Sequence, residues 1–220
     1  TQRQSALTLS GGQEEDFVEP PKPQEAWVKE AAKLKGVDSY YVTNSANVTL
    51  TYKDKKVEHA NMTGGNVTYM DAVENEVIAG RSLRAQDYKD FANVIILDEG
   101  LANSLFGSAQ EALNQIVEVN EISYRVIGVY ASKEAKAVKA FGVGGLPITT
   151  NISLAANFNT DEISNIVFRV NDTSLTQTLG PELARKMTEI AGLQQGEYQI
   201  ADATEAFNEV QQMFGFITTI

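Results

Sequence analysis

The sequence predicts an α+β fold, a mixed α/β domain of short strands and amphipathic helices. Three observations carry that expectation. Between residues 93 and 130 the apolar pattern changes from strand to helix and back to two strands. Leu175, Leu179, Leu183, Met187 and Ile190 recur at helical spacing just after a strand-like run, Asn165–Val170. The composition, 43% hydrophobic and 21% charged, suits a chain that buries a core.

In chain order, residues 10–23 form an acidic, Pro-rich lead-in without periodicity and read as a linker. Ala26, Trp27, Ala31 and Leu34 mark a helix closed by Gly36, where positive φ is free for glycine, and Trp27 is expected as a core anchor. Strands at 47–52 and 57–62 follow, joined by the polar turn Lys53-Asp54-Lys55-Lys56. Gly80-Arg81 then turns into a polar segment, and an apolar strand at 93–97 leads to a helix carrying Leu101, Ala102 and Leu105, with Asp98 as its N-cap. A hairpin pairs residues 116–119 with 122–130 about Asn120-Glu121. Its second strand sets Ile122, Tyr124 and Val126 on one face, Arg125 and Ile127 on the other. Residues 131–158 show little period, and "FGVGGLP" reads as a flexible loop. In the last third, Pro181 either kinks the Leu-rich helix or begins it anew, and a strand at 198–201 precedes a final helix capped by Asp202 or Thr204.

No chemistry assembles from these pieces. The net charge is −11 without a basic cluster, so neither nucleic acid nor an anionic lipid surface is an expected partner. Cysteine is absent, which removes disulfides, thiolate metal sites and Cys nucleophiles while leaving the compartment open. "GVGG" at 142–145 lacks the Lys-Ser/Thr of a phosphate loop and runs into Pro147. His59, the single histidine, reads as a strand-face residue, and Glu14, Glu15 and Asp16 as a solvated run. Asp87 and Asp90 could share a helix face as paired carboxylates, but Arg84 and Lys89 beside them favour surface ion pairing. Catalytic, cofactor and metal residues are therefore all assigned as none.

The ends and the sequons leave alternatives. Ala206, Phe207, Val210, Met213, Phe214 and Ile217 form one helical face, read either as a docked C-terminal helix or as the start of a membrane-spanning helix. Because the chain starts at Thr1, it is expected to be a processed product or an excised part. Asn47, Asn61, Asn66, Asn151 and Asn171 stand in N-x-S/T sequons, which a glycosylated ectodomain would use.

"GVDSYYV", "VIAGRSLRAQDY", "VIILDEGLANSLFG" and "EALNQIVEVNEISYRVIGVY" occur in this order with fitting gaps. The series resembles the extracytoplasmic domain of MacB-like ABC transporter permeases, the macrolide-exporter family. The likeness spans most of residues 24–212, with Gly80-Arg81, Ala102…Leu105-Phe106-Gly107 and Val126-Ile127-Gly128-Val129 as landmarks. Where the family often has glycine, this chain has Asn114 and, near the hairpin turn, Asn120; asparagine is the side chain best suited to a left-handed backbone.

The resemblance implies a two-lobed domain. Residues 24–70 and 160–205 would form a discontinuous βαβ-type membrane-proximal lobe, with 71–159 inserted as a second mixed lobe. Residues 1–23 would link from a first transmembrane helix, and 206–220 would lead into the second. It further implies a bacterial cell-membrane permease with four membrane helices, this domain on the extracytoplasmic face, where the sequons have no role. The domain would transmit ATP-driven motion to export drugs or antimicrobial peptides. Its partners would be a second permease copy, a separate or fused cytoplasmic ABC ATPase, and a membrane-fusion adaptor protein. It would have no enzymatic activity and no ATP site of its own. A lipoprotein-releasing permease and a free-standing surface binding module are the alternatives.

Overall fold

The computed structural model describes residues 2–5, 22–170, 176–191 and 197–200. In order these form β1 (Gln2–Ser5), α1 (Glu25–Ala31), β2 (Val37–Tyr52), β3 (Lys55–Gly65), α2 (Tyr69–Ala72), β4 (Glu76–Gly80), α3 (Ala85–Lys89), β5 (Val94–Asp98), α4 (Glu99–Phe106) and α5 (Ala109–Ala112). Next come β6 (Ile116–Val119), β7 (Ile122–Ala131), α6 (Lys133–Lys139), β8 (Ile148–Thr150), α7 (Asn151–Phe158), β9 (Asn165–Val170), α8 (Thr176–Ala191) and β10 (Glu197–Ile200). This is the expected mixed α/β fold. The chain divides into two compact units, Thr1–Tyr40 with Asn165–Ile220, and Tyr41–Ser164. The middle unit thus takes in residues 41–70, which the sequence reading groups with the outer segments.

In the Tyr41–Ser164 unit the strand pairings run in a ring, β2–β3–β8–β5–β7–β6 and back to β2. β2 closes it by pairing with β3 from Thr43 to Tyr52 and with β6 at Leu50 and Thr51. Inward side chains of these strands, among them Leu50, Met62, Ile95, Leu97, Val119, Tyr124 and Val126, form one core with Leu101 and Leu105 of α4 and Leu154 of α7. The opposite face of β5 and β7 packs Ile96, Ile127 and Tyr130 against Met70 of α2, Leu83, and Tyr88 of α3. With apolar surface on both faces, β5 is buried at every residue, which is why it reads as a continuous apolar run.

The expected α4 hairpin region is present. Asp98 caps α4 by accepting from Leu101 N–H at 3.0 Å, and β6 and β7 pair across Asn120-Glu121, both with positive φ. In the other unit, α8 packs on α1 and β10, burying Leu179, Leu183 and Met187 on one face. Pro181 lies inside α8, at its sixth residue, so the helix continues through it without the N–H that would bond the residue 177 carbonyl.

Several expectations are corrected. α1 stops at Ala31, and Gly36 (φ +99°) serves the turn into β2 instead of closing the helix. Trp27 is only partly buried; Val28 and Ala31 anchor the helix. Gln2–Ser5, within the predicted linker, pairs antiparallel with β10. His59 is exposed and left-handed (φ +58°) at a bulge opposite Thr49, so it does not sit on an alternating strand face. Residues 144–147 are not a free loop: Gly144 N–H donates to His59 C=O at 2.9 Å, while Gly145 and Pro147 carbonyls accept from Asn61 and Thr63 at 3.0 and 2.9 Å. Beyond them, β8 and α7 occupy residues read as patternless. β8 is three residues long and wholly buried, so no alternation could reveal it. The predicted final helix lies outside the described residues.

Candidate functional site

Three polar constellations stand out, all within Tyr41–Ser164. The first is built on the Gly80-Arg81 landmark. β4 ends at Gly80 (φ +73°), directly opposite Gly128 of β7. Arg81 N–H donates to Ile127 C=O at 3.0 Å. The Arg81 guanidinium then grips Asp87 through two parallel bonds, Nη1 to Oδ2 at 2.8 Å and Nη2 to Oδ1 at 2.9 Å. Asp87 Oδ2 also accepts from Arg84 N–H at 3.0 Å, fixing the start of α3. Burial alone would raise the Asp87 carboxyl, but the Arg81 guanidinium and Arg84 N–H outweigh it and hold the group below its ordinary range. The expected surface pairing with Arg84 and Lys89 is therefore corrected: the partner is Arg81, six residues upstream, and Asp90 instead accepts from Gln86 at 2.7 Å.

The second constellation lies where the chain enters and leaves this unit. Ser164 N–H donates to Thr43 C=O at 2.8 Å, so the outgoing and returning segments run side by side. Two buried asparagines, Asn44 and Asn151, bind them, and a third, Asn66, holds the start of the outgoing segment. Asn44 Nδ2 donates to the carbonyls of Asn151 (2.8 Å) and Asp161 (2.9 Å), and Asn151 Nδ2 to that of Glu162 (3.0 Å). Asn66 imitates a strand neighbour of Val42, its N–H donating to Val42 C=O and its Oδ1 accepting from Val42 N–H, both at 3.2 Å. Gly64 is required here, because a Cβ on it would lie 2.0 Å from Asn44 Oδ1 and 2.8 Å from Asn151 Cα. Asn66 and Asn151, 1% and 3% exposed, are closed to glycosylation in the folded chain. In the sequence only sequon spacing marked Asn66 and Asn151, a signal that points outward, not inward, and nothing marked Asn44.

The third is centred on Asp98. Its Oδ1 caps α4 while its Oδ2 accepts from Leu146 N–H at 2.8 Å, and Tyr130 Oη donates to Leu146 C=O at 2.5 Å. Burial, with Asp98 nearby, pushes the Tyr130 hydroxyl's pKa upward, so it stays a donor. Above Asp98 opens a cleft of about 340 Å³ lined by Glu99, Asn103, Ser132 and Lys136. Both Asp98 oxygens accept from backbone N–H groups, so the carboxylate holds α4 and the Leu146 segment together at the floor of the cleft. Among the described residues, no group of three or more His, Cys, Asp or Glu could hold a metal ion, and no helix is long and apolar enough to cross a membrane. Glu14, Glu15, Asp16 and Asn171 lie outside the described residues.

Comparison with known proteins gives a consistent picture. A model of the MacB-like periplasmic core domain matches residues 2–186. YvrN, an uncharacterized ABC transporter permease of Bacillus subtilis (strain 168), is 24% identical over 212 residues, covering 92% of this chain and 50% of that protein. The macrolide export ATP-binding/permease protein MacB of Mannheimia succiniciproducens is 26% identical over 157 residues, 71% of this chain and 24% of its own length. The chain spans at most half the length of these relatives. The extracellular domain of the ABC-type transporter YknZ from Gram-positive bacteria aligns with a TM-score of 0.66 at 21% identity, covering 81% of this chain and 88% of that one. The periplasmic region of MacB from Actinobacillus actinomycetemcomitans aligns with a TM-score of 0.66 at 17% identity, covering 90% and 85%. These two likenesses show a shared fold.

Proposed function

The chain belongs to the MacB-like periplasmic core domain family and is an extracytoplasmic domain of an ABC transporter permease of that kind, and from that premise we propose that its role is mechanical. The observation that carries this reading is the paired connection at Thr43 and Ser164. A unit whose two chain connections are bonded together can be displaced as a body, because a push on either segment reaches the other through short hydrogen bonds. Backbone groups and buried amides make that joint.

In the proposed cycle, two permease copies present facing domains on the extracytoplasmic side of a bacterial membrane. A cytoplasmic ABC ATPase, separate or fused, drives them together and apart. Drugs or antimicrobial peptides are exported with an adaptor protein, in keeping with the macrolide export named for one relative. The outer segments would face the membrane, and the stretch 206–220 would lead into a transmembrane helix.

The chain contains no cysteine, so cysteines introduced at exposed positions such as Lys53, Phe91 and Glu121 are the only thiols of this domain, and in the full transporter they can be tested for cross-linking between copies against the transporter without them. At least one pair should cross-link in only one nucleotide state and stop export until reduced. Normal export by fully cross-linked transporter would overturn the mechanical reading.

A further inference from the structure

We infer that Asn44 and Asn151 are positioning residues that fasten the returning segment 161–164 to the outgoing strand β2, making the two connections of the Tyr41–Ser164 unit a single rigid mount. The inference deepens the mechanical reading and gives it specific residues. Asn44 is 1% exposed and Asn151 3% exposed. Their side-chain NH₂ groups supply three bonds of 2.8–3.0 Å, and all three end on backbone carbonyls: Asn151 itself, Asp161 and Glu162. Two of these carbonyls belong to the loop between α7 and β9, which carries no regular structure to satisfy them.

The arrangement is directional. Neither Asn44 Oδ1 nor Asn151 Oδ1 has a hydrogen-bond partner among the described residues. What each amide contributes is therefore the aim of its donors. Apolar residues would fill the same volume but could not hold loop carbonyls in register with Thr43. Gly64 supports the same geometry, since only a residue without Cβ leaves room for Asn44 Oδ1. The mount is local: the core of the unit, around Ile95, Tyr124 and Val126, does not use these amides.

Native-state hydrogen exchange on the 220-residue chain tests this without relying on transport. Asn44→Ala, the near-isosteric Asn44→Asp and Asn151→Ala should each lower protection of Ser164 N–H by roughly tenfold or more. Protection of Arg125 and Val126 N–H in β7 should change by less than about twofold in the same samples. Asn151→Ala removes one bond only and keeps the test readable should the Asn44 variants not fold. An equal loss at Ser164 and at β7 would reduce the asparagines to general stabilisers, and unchanged Ser164 protection would show that no such mount exists; either result overturns the inference. Failure here leaves the family role intact, whereas failure of the cross-linking experiment leaves the exchange result standing.

Discussion

Gly80 and Gly128 face each other across β4 and β7 so closely that neither strand could carry a side chain there. A Cβ on Gly80 would lie 2.2 Å from Ile127 O and 2.9 Å from Gly128 Cα, and one on Gly128 would lie 2.3 Å from Arg81 O. The Gly80-Arg81 landmark is thus a place where two backbones must touch before Arg81 can turn to meet Asp87.

Gly80→Ala is accordingly penalised twice, by left-handed φ and by collision with backbone that cannot yield. It should cost about 3 kcal/mol or more, whereas Gly107→Ala, left-handed at φ +89° in open space, should cost about 1–2 kcal/mol. Urea denaturation of the two variants decides the matter. Equal losses would mean that φ alone governs both sites.

Asn114 adopts φ +63° just before β6, as the family's glycine implies. Asn114→Gly should be neutral or stabilising, and Asn114→Val should cost about 1–2 kcal/mol through its β-branched clash. Matching melting temperatures for the two variants would contradict the left-handed geometry.

The Arg81–Asp87 pair sets a pH dependence. The folded carboxyl titrates below its unfolded value of about 3.9. The stability it contributes is fully present at neutral pH and is lost as pH falls below about 4 and through the folded value. Asp87→Asn should flatten this part of the acid-unfolding curve. Arg81→Ala should cost about 2–4 kcal/mol at pH 7, because it leaves a buried carboxylate without its cation. An unchanged acid limb in Asp87→Asn would show that other carboxylates set it.

Asp98 serves two backbone donors at once. Asp98→Ala should cost about 2–4 kcal/mol by removing the α4 cap and orphaning Leu146 N–H, and Asp98→Asn about half as much, since one acceptor remains. Thermal unfolding ranks the variants, and a neutral Asp98→Ala would mean that Leu146 finds another acceptor.

By itself the sequence determined the elements whose bonds and burial are local. The apolar run at β5, the Asp98 cap, the alternation of β7 and the Asn120-Glu121 turn all follow from side-chain period and backbone preference within a few residues. The resemblance carried by Gly80-Arg81 and Val126–Val129 reached the family the same way, as a linear pattern. Only the tertiary structure decided what depends on distant partners. β8 exists because Ile148–Thr150 has a strand on either side, and the ring closes because β2 is long enough to reach both β3 and β6. Asp87 finds Arg81 rather than its helical neighbours because a glycine pair brings β4 onto β7. Asn44, which as a residue type belongs in turns, is buried where its amide reaches the carbonyls of Asn151 and Asp161, 107 and 117 residues away. A hydrogen bond across such a separation leaves no period in the chain, so its donor and acceptor become visible only when the fold brings them together.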